Sequence, residues 1–117
     1  MIDKFTFQQK FAHISKASLL LIIDVSLERF PEKASALISF IEKKNIAECL
    51  FYTINIRESF AYIFHDMELN RICHHLSEAS EMEDYIKMDE IGIQFSAYMD
   101  QFINDLKILK NEISLNH

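Results

Sequence analysis

The last third of the chain has the most regular pattern of apolar and polar positions. Between residues 91 and 113 an apolar side chain recurs every three or four residues. At 100° per residue these positions lie within about 80° of one another, which is typical of a helix with one buried face. The spacing therefore predicts a long amphipathic helix, with its buried stripe at Ile91, Phe95, Tyr98, Phe102, Leu106, Leu109 and Ile113.

Earlier segments combine helix-start signals with the same spacing. A Ser, Thr, Asn or Asp that accepts a hydrogen bond from a free backbone N–H favours a helix start, more so with Glu or Gln three residues later. The residues that fit are Thr6 with Gln9, Asn45 with Glu48, Asp66, and Ser80 with Glu83. The apolar stripes behind them are Phe7, Phe11, Ile14, Ser18, Leu21, Ile22 and Val25; Leu37, Ile38 and Ile41; Cys49, Tyr52, Thr53, Ile56, Phe60 and Ile63; and Leu69, Ile72, Cys73 and Leu76.

Pro31 interrupts the first stripe, and we expect it to break or kink that helix because proline lacks an N–H and clashes with the preceding turn. Ser80 with Glu83 predicts a short connecting helix through Tyr85 and Ile86. The chain is predicted to be all-α: an antiparallel four-helix bundle with short N-terminal or connecting helices, in a single domain over residues 1–117.

Composition supports helices over sheets. The chain of 117 residues holds one Gly and one Pro, and sheet proteins depend on these residues for their turns. The alternative is an α/β fold, since residues 18–25 and 49–56 are rich in β-branched and aromatic side chains. Neither run is bounded by Gly, which favours the bundle.

Charge and targeting signals limit the choice of partners. Twelve Lys and Arg against eighteen Asp and Glu give a net charge of −6. An acidic chain without a basic cluster is a poor ligand for nucleic acid, because phosphate neutralisation supplies most of that affinity. The N-terminal residues do not form a signal peptide, and the apolar run at 19–23 ends at Asp24, short of the ~20 residues that span a membrane. We expect a cytoplasmic protein that binds neither nucleic acid nor membrane, with Cys49 and Cys73 as unpaired thiols in the core.

No catalytic signature is present. With its one Gly at position 92 the chain cannot form a Gly-rich phosphate loop, and Ser59 lacks the frame of a hydrolase nucleophile. The adjacent His74 and His75 point about 100° apart on a helix and cannot share a metal ion on one face. The sequence therefore predicts no enzyme activity, no metal and no cofactor.

The helix after Asn45 has an unusual second side. Opposite its core stripe it carries apolar residues where a surface helix normally has polar ones. Either this helix is packed on both sides, or it offers an apolar patch to a partner. The residues concerned are Leu50, Phe51, Ile54, Ala61 and Tyr62, interrupted by Glu58 and His65.

The order of features resembles histidine phosphotransfer (HPt) domains, helical bundles that pass a phosphoryl group through an exposed His. Pro31, Leu37, Ile41 and Asn45 resemble the first part of the family pattern. Residues 54–59 fall where the family has H-x-L-K-G-S, and residues 69–76 resemble its closing L-x-x-L-C-x-x-L helix. Ile54 stands in place of the phosphorylated His, and Glu58 in place of the Gly. The resemblance thus implies a scaffold that has lost phosphotransfer.

From these features we expect a non-catalytic adaptor or inhibitor that binds a receiver domain, a histidine kinase or another regulatory protein. The predicted partner-binding residues are Leu50, Ile54, Arg57, Glu58, Ala61 and His65. Two alternatives stay open. In the first, the chain is an active phosphocarrier that uses His13, His65, His74 or His75. In the second, it is a structural homodimer paired through the same outer face.

Overall fold

The computed structural model describes residues 1–116, and every regular element within that range is helical. The all-α prediction is confirmed. Residues 18–25 and 49–56 both lie inside helices, so the α/β alternative is wrong. The elements are α1 (Lys4–Lys10), α2 (Lys16–Glu42), α3 (Ile46–Ile56), a π-helical turn (Arg57–Ala61), α4 (Met67–Glu81) and α5 (Tyr85–Asn116).

Two of the predicted helix starts are confirmed. The Asn45 side chain accepts a hydrogen bond from the backbone N–H of Glu48 at 3.2 Å and begins α3. The Asp66 side chain accepts one from the N–H of Leu69 at 3.0 Å and begins α4. Each cap satisfies a backbone donor that has no partner within its own helix.

The other two predicted helix starts are wrong. The carboxylate of Asp3, not Thr6, caps α1: it accepts the N–H of Thr6 at 3.0 Å and the Thr6 hydroxyl at 2.8 Å, so that hydroxyl is not available as a cap. Ser80 is buried inside α4 because the apolar face of that helix continues through it. Asp84 caps α5 instead, accepting the N–H of Lys87 at 3.1 Å.

The first predicted helix is divided at a different place from the one expected. The chain leaves helical geometry after Lys10 and becomes helical again at Lys16, capped by Ser15, whose hydroxyl accepts the N–H of Ser18 at 3.2 Å. Pro31 lies inside α2 and does not end it. A proline there removes one backbone hydrogen bond. The helix continues because Phe30 and Ala34, on either side of the proline, are both fully buried.

Each of the four longer helices packs against two others. α2 contacts α3 and α5, and α4 contacts the same two helices. The start of α2 lies beside the end of α5, where the ammonium of Lys16 donates to the carbonyl of Ser114 at 3.0 Å and Asp24 pairs with Lys110 at 2.8 Å. α2 and α5 have 27 and 32 residues, and neither they nor any other helix in residues 1–116 is both long and apolar enough to cross a membrane.

A chain of phenylalanine rings joins these elements in the core. Phe30 of α2 lies 4.6 Å from Phe102 of α5 and 5.2 Å from Phe60 of the π-helical turn, measured between ring centres. Phe102 also contacts Phe64, at 6.0 Å, and Phe64 stacks on Phe7 of α1 at 5.0 Å. Aromatic pairs of this geometry contribute about 0.5–1.5 kcal/mol each beyond their buried area. These contacts hold α1 against the rest of the fold.

The π-helical turn changes which residues of this segment are buried. The N–H of Tyr62 donates to the carbonyl of Arg57 at 2.9 Å, five residues back, whereas an α-helix pairs residues four apart. One additional residue rotates everything after it by about 100°. As a result Phe64 is fully buried and Ile63 only partly, the reverse of the predicted stripe.

Candidate docking face on α3 and α4

Four of the six predicted partner-binding residues lie on the outer side of α3 and its π-helical extension. Ile54 is 49% exposed and Glu58 is exposed, whereas Leu50 and Arg57 are half-buried. These four residues follow helical spacing, so they form a continuous strip.

The other two predicted residues are not part of that strip. Ala61 is only 2% exposed, because the π-helical turn rotates it into the core. Its predicted place on an outer face was therefore wrong. His65 is half-buried in the link between the π-helical turn and α4. Its backbone has a φ of 51°, in the left-handed region. The Nε2 atom of His65 is buried and has no hydrogen-bond partner within residues 1–116.

Exposed apolar side chains distinguish α3 from an ordinary surface helix. Phe51 is 61% exposed and Ile54 is 49% exposed, while Cys49, Thr53 and Ile56 on the opposite side are fully buried. The alternative of a helix packed on both sides is therefore wrong. α3 has one buried side and one outer side with large apolar groups in contact with solvent.

Arg57 connects the outer side of α3 to α4. Its Nε donates a hydrogen bond to Oδ1 of Asn70 in α4 at 2.7 Å. Its guanidinium also lies 5.4 Å from the centre of the Tyr62 ring, within the range of a cation–π contact. These two contacts fix the cation beside the apolar strip. We call Phe51, Ile54, Arg57, Glu58 and Asn70 the α3–α4 face.

A groove of about 470 Å³ continues this surface along the first turns of α4. Met67, 78% exposed, lies at its edge. Within the groove the carboxylate of Glu68 accepts a hydrogen bond from Nε of Arg71 at 3.1 Å, and this contact holds the pKa of Glu68 below its usual range. Arg71 is thereby engaged on its own helix, whereas Arg57 lies between two helices.

Of the remaining described histidines, His74 lines the groove beside the α3–α4 face, whereas His13 and His75 do not. His13 is exposed in the turn between α1 and α2. His74 and His75 are exposed on α4 with ring centres 5.8 Å apart, and Nε2 of His74 lies 3.1 Å from a carboxylate oxygen of Glu78. Among residues 1–116 no three His, Cys, Asp or Glu side chains are grouped so that they could hold a metal ion. His117 lies outside the described residues.

The two cysteines are unpaired and fully buried, as the sequence predicted. Burial raises the pKa of Cys49 to about 11 and that of Cys73 to about 12. The thiolate is the reactive form of cysteine, so both groups are poor nucleophiles near neutral pH.

A partly buried polar contact between Tyr98 and Asp66 was not predicted from the sequence. The hydroxyl of Tyr98 in α5 lies 2.7 and 2.9 Å from the two carboxylate oxygens of Asp66, and the Met1 ammonium lies 3.2 Å from the same group. Burial and the hydrogen bond to Asp66 raise the pKa of Tyr98. Asp66 also caps α4, so this contact fixes the helix that carries Asn70.

The α3–α4 face thus combines two exposed apolar side chains with a cation held at a fixed position. Its five residues come from α3, the π-helical turn and α4, whose relative placement depends on the core behind them. Comparisons of this chain with protein-family models, with curated proteins and with solved structures find no match.

Proposed function

We propose that this chain is a non-catalytic protein-binding module, an adaptor or inhibitor, which docks a partner protein on its α3–α4 face. The observation that carries the proposal is the exposure of Phe51 and Ile54 on a helix whose opposite side is fully buried. Protein interfaces are richest in binding energy where apolar and aromatic groups surround a well-placed Arg. Arg57 has that position here.

The scaffold we propose is an antiparallel four-helix bundle of α2, α3, α4 and α5. Short links at residues 43–45, 62–66 and 82–84 join successive helices, and such links favour antiparallel neighbours. The contacts of α2 with α3 and α5, and of α4 with the same two, fit a closed ring of four helices. A rigid scaffold lets the face bind without a large ordering cost.

The size of the apolar strip is sufficient for a useful interaction. Full burial of a Phe or Ile side chain contributes about 1.5–3 kcal/mol. Phe51 and Ile54 have roughly half of their surface left to bury, which gives about 1 kcal/mol each. Because Arg57 is already held by Asn70 and Tyr62, little of its rotamer freedom remains to be lost on binding.

The resemblance to HPt domains favours a receiver domain or a histidine kinase as the partner. In that resemblance Ile54 takes the place of the phosphorylated His, with Arg57 one turn further on. An isoleucine has no nitrogen that could accept a phosphoryl group. The module would therefore occupy a docking site without passing phosphate on, which is the action of an inhibitor or adaptor.

Substitution of Ile54 tests the proposal. We expect Ile54→Asp to weaken binding to receiver domains and histidine kinases of the host by at least about tenfold, because it places a charge in the centre of the interface. Leu21→Asp is the matched control, since Leu21 is an exposed aliphatic residue of α2. Affinities are measured by biolayer interferometry, and circular dichroism verifies that both variants remain helical.

Two outcomes contradict the proposal. One is that Ile54→Asp binds like the unchanged chain. The other is that Leu21→Asp loses as much affinity, which would mean that added negative charge alone is responsible.

The same samples separate the two alternative functions. An active phosphocarrier acquires acid-labile phosphate when it is incubated with a phosphorylated donor, and the exposed His74 and His75 are the accessible candidates on α4. A structural homodimer changes its sedimentation coefficient with concentration, and Ile54→Asp abolishes that change. The proposed module shows neither behaviour.

A further inference from the structure

A second concave surface lies between α2 and α5, on helices that the α3–α4 face does not use. It has a volume of about 270 Å³. We call it the α2–α5 groove, and it is lined by Ile38 and Glu42 of α2 and by Asp89, Gly92, Ile93 and Ser96 of α5. The core side chain of Ile41 lies beneath it.

Gly92 forms the floor of the groove. It is the one glycine of the chain, and it lies inside α5, where glycine is among the least favourable residues. Its φ is not positive, so the backbone conformation does not require glycine. A Cβ at this position would lie 3.4 Å from two side-chain carbons of Ile41, and any longer side chain would extend into the groove. The absence of a side chain therefore keeps the groove open.

The walls of the groove are apolar and largely exposed. Ile93 is 72% exposed, and Ile86, which does not line the groove but lies seven residues earlier on the same side of α5, is 76% exposed. Ile38 contributes a half-buried surface from α2. This arrangement matches what an amphipathic helix requires, which is a row of apolar contacts two turns long.

The charge of the rim selects the partner. Glu42 on one side and Asp89 on the other are both exposed, and no Lys or Arg lines the groove. Lys44, two residues after Glu42, is engaged elsewhere: its ammonium lies over the ring of Tyr85 at 5.4 Å, where α5 begins. A second copy of this chain is a poor occupant, because a two-fold interface would bring each acidic rim against itself.

We propose that the α2–α5 groove binds a basic amphipathic helix of a partner protein. The apolar row of that helix contacts Ile38, Gly92 and Ile93, and its flanking Lys or Arg side chains pair with Glu42 and Asp89. The groove shares no residue with the α3–α4 face, so both surfaces can be occupied at the same time. A chain that holds two partners in this way is an adaptor.

Two synthetic peptides of opposite charge test the proposal. Both are 20-residue amphipathic helices, a length on the scale of calmodulin-type targets, with the same row of Leu. One has Lys on both flanks of the row and the other has Glu. We expect the Lys peptide alone to bind, measured by fluorescence anisotropy, and to shift the NMR amide signals of Gly92, Ile93 and Ser96 in the labelled protein.

Variants of the groove and a charge-matched control complete the test. Glu42→Lys combined with Asp89→Lys should weaken the affinity for the Lys peptide by at least about tenfold, because it reverses the charge of the rim. Glu78→Lys combined with Glu81→Lys changes the net charge equally on α4 and should alter the affinity by less than about threefold. Gly92→Leu fills the groove, so we expect this variant to remain helical but to lose binding of the Lys peptide.

Four results overturn the proposal: both peptides bind equally, neither binds, the α4 control loses as much affinity as the rim variant, or the chain self-associates and Ile93→Asp makes it monomeric. If Gly92→Leu fails to fold, the variants that reverse the charge of the rim still test the proposal. The Ile54→Asp variant should bind the Lys peptide normally. This separates failure of the groove from failure of the α3–α4 face.

Discussion

The buried contact between Asp66 and Tyr98 gives the sharpest test of how the α3–α4 face is supported. Asp66 has almost no exposed surface, and its carboxylate accepts from the Tyr98 hydroxyl and from the N–H of Leu69. Tyr98→Phe removes one donor from this buried carboxylate and leaves the ring in place. Asp66→Asn keeps an oxygen that can cap α4 but removes the charge, whereas Asp66→Ala removes the cap as well.

The magnitudes follow from these contacts. A hydrogen bond to a charged group contributes about 1.5–3 kcal/mol, so Tyr98→Phe should lower the free energy of unfolding by about that amount. Loss of the cap costs about 1 kcal/mol more, so Asp66→Ala should cost about 2.5–4 kcal/mol in total. Asp66→Asn should fall between these two values. Because the two residues share one contact, Tyr98→Phe combined with Asp66→Ala should cost about 1.5–3 kcal/mol less than the sum of the two single costs.

Urea unfolding followed by far-ultraviolet circular dichroism measures all four free energies, provided that the slope with denaturant stays constant. The reasoning is refuted if Tyr98→Phe changes the free energy of unfolding by less than about 0.5 kcal/mol, or if the costs of the two substitutions simply add. Either result would mean that the carboxylate finds an equally good partner, such as water, when the hydroxyl is removed.

Two further predictions concern the core and the groove. Gly92→Ala should raise the free energy of unfolding by about 0.5–1 kcal/mol, since alanine favours helix and its Cβ fits against Ile41 at 3.4 Å; a lower thermal midpoint would show that Ile41 cannot accommodate it. Cys49 and Cys73 have raised pKa values of about 11 and about 12, against about 8.5 in an unfolded chain. Their stabilising contribution is complete below about pH 8.5 and is lost as the pH rises toward 11 and 12, because the unfolded chain releases these protons first. The urea concentration at the unfolding midpoint should therefore decrease as the pH rises above about 9, and it should decrease less steeply in the double variant Cys49→Ala with Cys73→Ala. Rapid reaction of both thiols with Ellman's reagent at pH 8 without urea would contradict their burial.

Local signals explain which parts of the fold were predictable. The stripe from Ile91 to Ile113 was predictable because one regular helix buries one side throughout. Asn45 and Asp66 were predictable because a cap depends on residues only three positions apart. The continuation of α2 past Pro31 was not predictable, since the burial of its neighbours in the folded chain outweighs the preference of proline to end a helix.

The candidate site divides in the same way. Helical spacing along α3 indicated that Ile54 would lie opposite the core, and the structure agrees. The contact of Arg57 with Asn70 joins residues 13 positions apart on different helices, so no spacing rule could find it. The α2–α5 groove likewise depends on how two distant segments pair, although a lone glycine inside a helical pattern was a visible signal for it.

The wide turn at Arg57–Ala61 has a consequence for how the molecule is held together at its N-terminal end. A single additional residue changes the helical register, so the residues after the turn face a different direction from those of α3. Ile54 of α3 can therefore face outward while Phe64, in the link that follows the turn, stacks on Phe7. Without that offset the short leading helix would lose its aromatic anchor. The aromatic contact that holds α1 thus depends on a backbone irregularity far downstream in the chain.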